Sequence, residues 1–360
     1  METIRTRSFA RAGLLGNPSD GYFGKTLSFT FAQFGVELVM SESSRIRFQQ
    51  GEVDDATFAS LDEMSRNLRL YGYYGGIRLL KATAKRFFDY CQEKGLELPK
   101  RNFSVEYKIN IPRLVGLSGS SAICSAMLKA LMKFYEVGIP LEVQPSICLE
   151  AERDELGINC GFQDRVIQIY NGLVFMDFEK SFVESRNHGK YERLYPIGQS
   201  DNPDNRTILP SLYIAYDANR AEESGKAHRK VKRLFEEKNA DVLAAMSEFA
   251  DIAQRGRDAI VAGRTDDLPS LVNANFDLRD RIFNVAEENR RMVMTARQCG
   301  ASAKFAGSGG AIVGTYSDEA QFERLKADLA AIGTEVLKPT IATAADETAE
   351  IAGFGGWRNS

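Results

Sequence analysis

The alternation of apolar and polar positions divides the chain into a repeating order of strands and helices. At residues 103–111, Phe103, Val105, Tyr107, Ile109 and Ile111 alternate with polar neighbours, the period of a half-buried strand. Past a small-residue stretch, Ile123, Met127, Leu128, Leu131, Phe134 and Tyr135 recur at helical spacing, so a Gly/Ser loop joins a strand to a helix. The same reading predicts a strand from Ser8 into the turn Gly16-Asn17-Pro18-Ser19-Asp20-Gly21, and strands at 26–40 and 45–50. Helices are predicted at 55–70, 76–94 and 141–155, then a short helix at 161–170 leading into a strand at 172–178. A polar stretch at 184–205, with Pro196 and Pro203, reads as a domain boundary. Beyond it come a strand at 208–217, helices through 228–299, and short strands at 301–305 and 311–316 around a glycine turn. A helix at 318–331 and a strand near Val336 complete an α+β sandwich.

Composition narrows the class. A chain of 360 residues exceeds the usual single core, which favours two domains, and 44% hydrophobic with 26% charged residues is ordinary for a globular protein. The net charge of -3 gives no broad attraction to nucleic acid or an anionic membrane. No apolar run is long enough to span a bilayer, and Met-Glu-Thr-Ile-Arg-Thr-Arg at the start lacks the apolar core of a secretion signal. A cytoplasmic protein without nucleic-acid or membrane partners is expected. Five scattered cysteines with no Cys-x-x-Cys pair, and only His188 and His228, argue against a disulfide framework, a zinc site and a Ser-His-Asp triad. The chemistry must run on carboxylates, Arg, Lys and backbone amides.

Four stretches offer such chemistry. In the loop Pro112-Arg-Leu-Val-Gly-Leu-Ser-Gly-Ser-Ser-Ala122, Gly116 and Gly119 let bare amides approach a phosphate, and the following helix adds its dipole. Alone, it serves equally well as a turn with an N-cap, and it lacks the Gly-Lys-Ser/Thr of a Walker loop. Arg11 to Asp20 presents one cation and several hydrogen-bonding groups, a set suited to a polyhydroxylated ligand. Asp164, after Cys160-Gly-Phe-Gln, opens an apolar-faced segment as a helix cap or as a proton acceptor. Lys304-Phe-Ala-Gly-Ser-Gly-Gly-Ala311 is a second glycine-rich turn, between two strands.

In this order and spacing the four stretches resemble the GHMP kinase superfamily, whose members phosphorylate small alcohols and sugars with ATP, and most closely its glucuronokinase-like sugar 1-kinases. The resemblance implies a two-domain α+β fold, with a ribosomal-protein-like β/α domain over 1–200 and a ferredoxin-like sandwich over 206–360. It implies ATP and Mg2+ as cofactors and a small-molecule sugar as substrate, with the oligomeric state open. Asp164 would accept the proton of the anomeric hydroxyl and Arg11 would stabilise the reacting oxygens. Pro112, Gly116, Leu117, Ser118, Gly119, Ser120, Ser121 and Ala122 would surround the nucleotide, together with Gly307, Ser308 and Gly309. Asn17, Asp20, Gly21 and Tyr22 would surround the sugar. Glu152 would bind magnesium with Ser120 or Ser121, a choice left open because the loop is one residue longer than the usual Gly-Leu-Gly-Ser-Ser core. Asn17 and Pro18 stand where galactokinases carry Glu and His, which argues against galactose. A uronic acid needs a cationic partner, for which Arg165 is the first candidate, followed by Lys25, Arg220, Lys226 and Arg229. The alternatives are another sugar (galacturonate, a neutral hexose or a heptose) and a non-catalytic regulator that binds nucleotide and sugar. The polar tail at 343–360, which contains the one tryptophan, Trp357, has no assigned role.

Overall fold

The computed structural model describes residues 3–49, 75–195, 209–217, 225–283 and 285–348. The helix expected at 55–70, Arg220, Trp357 and the side chains of Lys226 and Arg229 lie outside that description. Two long apolar strands, β1 (Thr3–Leu15) and β2 (Lys25–Ser43), form an antiparallel ribbon around the turn at 16–24. The other edge of β2 is shared. Its C-terminal end pairs with β4 (Asn102–Ile109) and its N-terminal end with β5 (Leu173–Asp177). β3 (Arg47–Phe48) extends the sheet beyond β4, and β6 (Lys190–Tyr195) extends it beyond β5. In the interval between β4 and β5, Ala32 N donates to Thr340 O (2.8 Å) and Ala342 N to Thr30 O (2.9 Å), so the C-terminal segment returns to this sheet.

The helices of this half are α1 (Gly76–Glu93), α2 (Gly119–Phe134), α3 (Gln144–Glu150), α4 (Gln163–Tyr170) and α5 (Lys180–Arg186). Two expectations are corrected here. The helix expected at 141–155 is α3 followed by a π-helical turn, Ala151–Glu155, which buries Glu152 while leaving Arg153 and Asp154 exposed. The strand expected at 45–50 pairs only at Arg47 and Phe48. Within the stretch 184–205 the described residues are the end of α5 and β6, whose polar residues are those of a solvent-facing edge strand.

The second sheet has the order β10-β7-β9-β8 and is antiparallel, from β7 (Leu212–Tyr216), β8 (Lys304–Phe305), β9 (Ala311–Thr315) and β10 (Glu335–Leu337). Its first and third strands are central, the ferredoxin-like order. The helices here are α6 (Gly225–Glu236), α7 (Ala240–Val261), α8 (Leu268–Phe283), α9 (Glu287–Gln298) and α10 (Glu319–Ala330). One apolar cluster joins both sheets, running from Phe29 and Met127 through Phe249, Ile252 and Leu271 to Val313. Among the described residues no helix is long and apolar enough to cross a membrane.

Candidate functional site

The β1 strand carries Arg11 inward, where burial would be costly for a charge without partners. Its partners come from three separate stretches. Arg11 Nε donates to Asp164 Oδ1 (2.7 Å), and Nη1 donates to Gly116 O (2.6 Å) and Ala306 O (3.0 Å). One guanidinium therefore joins the serine-glycine loop, the first turn of α4 and the glycine turn after β8. Gly13 N adds a bond to Ala306 O at 2.7 Å. The two glycine loops meet backbone to backbone, and a Cβ on Gly307 would lie 2.1 Å from Gly116 O.

Asp164 is held from both sides, because Ser118 Oγ donates to its Oδ2 at 2.7 Å. Burial alone would raise its pKa, but the charges of Arg11 and Arg165 and the hydrogen bonds from Arg11 and Ser118 outweigh that and lower it to about 2. Asp20 behaves oppositely. Its Oδ2 accepts from Gln163 N at 3.2 Å, yet burial first, and then the negative charge of Asp164, raise its pKa to about 6. Two carboxylates beside one cavity thus differ by several units in proton affinity.

That cavity has a volume of about 1170 Å³. Its lining includes apolar residues of α1, β4 and the segment after β4, Gly76, Tyr107, Ile109 and Ile111, and polar residues, Arg11, Asn17, Asp20, Asp164 and Arg279. Pro112, Gly116, Leu117, Ser118, Gly119 and Ser120 also line it, as do Gly307, Ser308, Gly21 and Tyr22. Ser121, Ala122, Gly309 and Glu152 do not line it. At the start of α2 the bonded ladder begins with Ala122 N donating to Ser118 O (3.2 Å), and the first amides of any α-helix lack an acceptor within it. Gly116 (φ 75°) and Ser118 (φ 66°) are both left-handed, which bends the loop around those amides.

Arg165 is already partnered. Its Nε donates to Glu152 Oε2 (2.7 Å), its Nη2 bonds the same oxygen, and its Nη1 donates to Gly161 O (2.8 Å). Both side chains are almost fully buried and neutralise each other, and Arg165 is also among the residues that line the cavity. Lys25 likewise pairs with Asp177 (3.4 Å) and donates to Gln254 (2.9 Å). Glu152 Oε1, however, is buried with no hydrogen-bond partner among the described residues, an oxygen that a hard cation or its water would satisfy. Ser120 opens on the cavity, whereas Ser121 is buried and its hydroxyl turns back to Ser118 O at 3.4 Å. Both oxygens are of the donor type magnesium takes, but of the two residues only Ser120 lines the cavity, while Glu152 is buried against Arg165.

Sequence reasoning did not single out Arg279 or Lys304 as site residues. Arg279 on α8 donates from Nη1 to Gly307 O (2.9 Å) and from Nη2 to Ser308 O (2.8 Å), bracing the glycine turn. The signal was present: Leu271, Asn275 and Arg279 share one helical face, so two polar residues interrupt an apolar stripe that is buried throughout. Lys304 Nζ donates to Gly13 O (2.6 Å), Phe305 O (2.8 Å) and Asn17 Oδ1, which ties β8 to the turn after β1.

Comparison with known proteins identifies the family and the fold. Residues 78–172 match the family model described as the GHMP kinases N terminal domain. The chain is 42% identical to Glucuronokinase 1 of Arabidopsis thaliana, over 86% of this chain and 84% of that protein. It is 43% identical to Probable glucuronokinase 2 of the same plant, over 85% and 82% respectively. The crystal structure of Lactococcus lactis galactokinase complexed with galactose superposes with a TM-score of 0.73 at 15% identity, over 95% of this chain and 94% of that one.

Proposed function

The chain belongs to the glucuronokinase group of the GHMP kinases, and from that premise we propose that it transfers the γ-phosphoryl group of ATP to the anomeric hydroxyl of D-glucuronate, giving glucuronate 1-phosphate and ADP. The observation that carries this reading is the Arg11 bridge, which sets the Asp164 carboxylate against the serine-glycine loop. The apolar part of the lining suits a base, the amides opening α2 suit the triphosphate, and the polar part suits a sugar.

Phosphoryl transfer passes through a loose transition state in most analyses, so it demands alignment and charge neutralisation more than a strong base. Asp164, ionised throughout the working pH range, orients the anomeric hydroxyl and receives its proton as the O–P bond forms. Arg11 keeps that carboxylate in one rotamer and offsets charge on the reacting oxygens. Ser120, with the partnerless Glu152 Oε1, would supply oxygen donors to magnesium, which would offset the negative charge of the phosphates. Arg279 holds the carbonyls of Gly307 and Ser308, which together with it line the same cavity.

The test is a panel of sugars incubated with magnesium and ATP and read as ADP release: glucuronate, galacturonate, glucose, galactose and a heptose. Turnover is expected with glucuronate first. No sugar-dependent ADP release from folded protein would reject the kinase reading, and a preference for a neutral sugar would reject the uronate.

A further inference from the structure

Resting on the uronate reading, we infer that Lys232 on α6 is the cation that receives the substrate's carboxylate, and that it sets the preference for a uronate over a neutral sugar. Among the described residues six cationic side chains line the cavity: Arg11, Arg113, Arg153, Arg165, Lys232 and Arg279. Five of them are engaged. Arg11 bonds Asp164 and two carbonyls, Arg165 bonds Glu152, and Arg279 bonds the carbonyls of Gly307 and Ser308. Arg153 holds the neighbouring carboxylate with both arms of its fork, Nε to Asp154 Oδ1 (2.6 Å) and Nη2 to Oδ2 (2.9 Å), and Arg113 is engaged as well. Lys232 makes no hydrogen bond or ion pair among the described residues.

The placing of α6 favours the carboxylate over the phosphates as the partner of this ammonium. Lys232 and Phe235 are three residues apart and so share a helix face. Phe235 meets Tyr22 edge to face, with ring centroids 4.9 Å apart, which docks this turn of α6 on the segment after β1. Tyr22 is tied in turn to the acceptor carboxylates. Burial first, then the charge of Asp20, and last that of Glu236 on α6 push its phenol up to about 12 against the opposing charge of Arg279. One ring therefore stands within electrostatic reach of both Asp20 and the helix that carries Lys232. The amides suited to the triphosphate belong to a different element, α2.

A hexuronate carries its negative charge on the exocyclic carbon, away from the anomeric hydroxyl. With that hydroxyl at Asp164, an exposed ammonium on a flexible four-carbon stem can meet the carboxylate without first giving up a partner. A guanidinium held in a buried pair, as Arg165 is, would have to leave a carboxylate uncompensated. A neutral hexose has a hydroxymethyl group at the same carbon, which gains only a hydrogen bond to one charged partner instead of two.

Lys232→Met keeps most of the stem and removes the charge. KM for glucuronate is expected to rise at least ~10-fold, the worth of one charge-assisted hydrogen bond to substrate, with KM for ATP within ~2-fold of the wild type. The kcat/KM preference for glucuronate over glucuronamide, its neutral amide of nearly the same shape, should fall by a similar factor, and Lys232→Arg should restore most of both. The side chain is exposed, so the thermal midpoint should match that of the wild type. An unchanged KM for glucuronate would reduce Lys232 to a solvated surface charge, and an equal rise in KM for ATP would assign it to the phosphates; each result overturns the inference. Wild-type turnover tests the underlying reading separately. If the wild type uses glucuronate and Lys232→Met behaves like it, the subsite is wrong and the kinase reading stands, whereas a wild type that ignores every uronate rejects both.

Discussion

Asp164 and Asp20 show how surroundings give one residue type two tasks. Asp164 is pinned as a carboxylate by Arg11 and Ser118, so Asp164→Asn should cut turnover by roughly 10² to 10⁴ while nucleotide affinity stays close to normal, as measured by single-turnover kinetics and ADP binding. Asp20 has the opposite linkage. Its folded-state pKa of about 6 lies above the ordinary 3.8, so its favourable contribution belongs to the protonated form, is complete below 3.8 and is lost as pH rises through 6. Asp20→Asn should therefore unfold at a higher temperature than the wild type above pH 6, by about 1–2 kcal/mol after discounting for its partial exposure, and the two proteins should converge near pH 4. Sugar turnover should drop in the same variant, since the carboxylate sits at the acceptor end of the site. Equal thermal midpoints at pH 8 would mean that Asp20 is better solvated than its position implies.

At the scale of elements, the site is made by two glycine loops in backbone contact. A Cβ on Gly307 would stand 2.1 Å from Gly116 O and 2.8 Å from Arg11 Nη1, and neither neighbour has room to withdraw without breaking the Arg11 bridge. Gly307→Ala is expected to lower kcat at least ~100-fold and to weaken ADP binding, with circular dichroism unchanged. Retained turnover would show that the loops do not need this approach. Both glycine loops were visible in the sequence as loops, because strand and helix periodicity brackets each of them. Their mutual contact was not, since a residue pair nearly two hundred positions apart leaves no local pattern. The π turn at Ala151–Glu155 was missed for a related reason: Glu152 reads as one more charge on a solvated helix, and only its pairing with Arg165 draws it inside.

Across the whole molecule, the C-terminal segment ties the chain back to its beginning. Thr30 Oγ1 donates to Ala342 O (3.0 Å), Asn171 Nδ2 donates to Glu347 Oε1 (2.6 Å), and Lys129 pairs with the same glutamate. With one apolar cluster spanning both sheets, calorimetry should show a single transition, and removing residues 340–360 should lower its midpoint by about 5 °C or more. Two resolved transitions in the intact chain, or an unshifted midpoint in the shortened one, would contradict this coupling.

Hydrophobic period and turn chemistry act between near neighbours, and so the sequence by itself determined most of the strands and helices, the two glycine loops and the order of the four stretches that resemble a sugar kinase, but not α5, β6 or the π turn after α3. The resemblance to that family implied that Arg11 and Asp164 belong to one site, and the fold brings Arg11 Nε to 2.7 Å from Asp164 Oδ1. Only the tertiary structure decided which charges meet. Arg165 is consumed by Glu152, and Lys304 and Arg279, drawn from an ordinary-looking strand and helix, face the turn after β1 and the glycine loop. The physical reason is that a buried charge takes its role from the partners that packing brings within about 3 Å, and partnership at that range is a property of the fold and not of spacing along the chain.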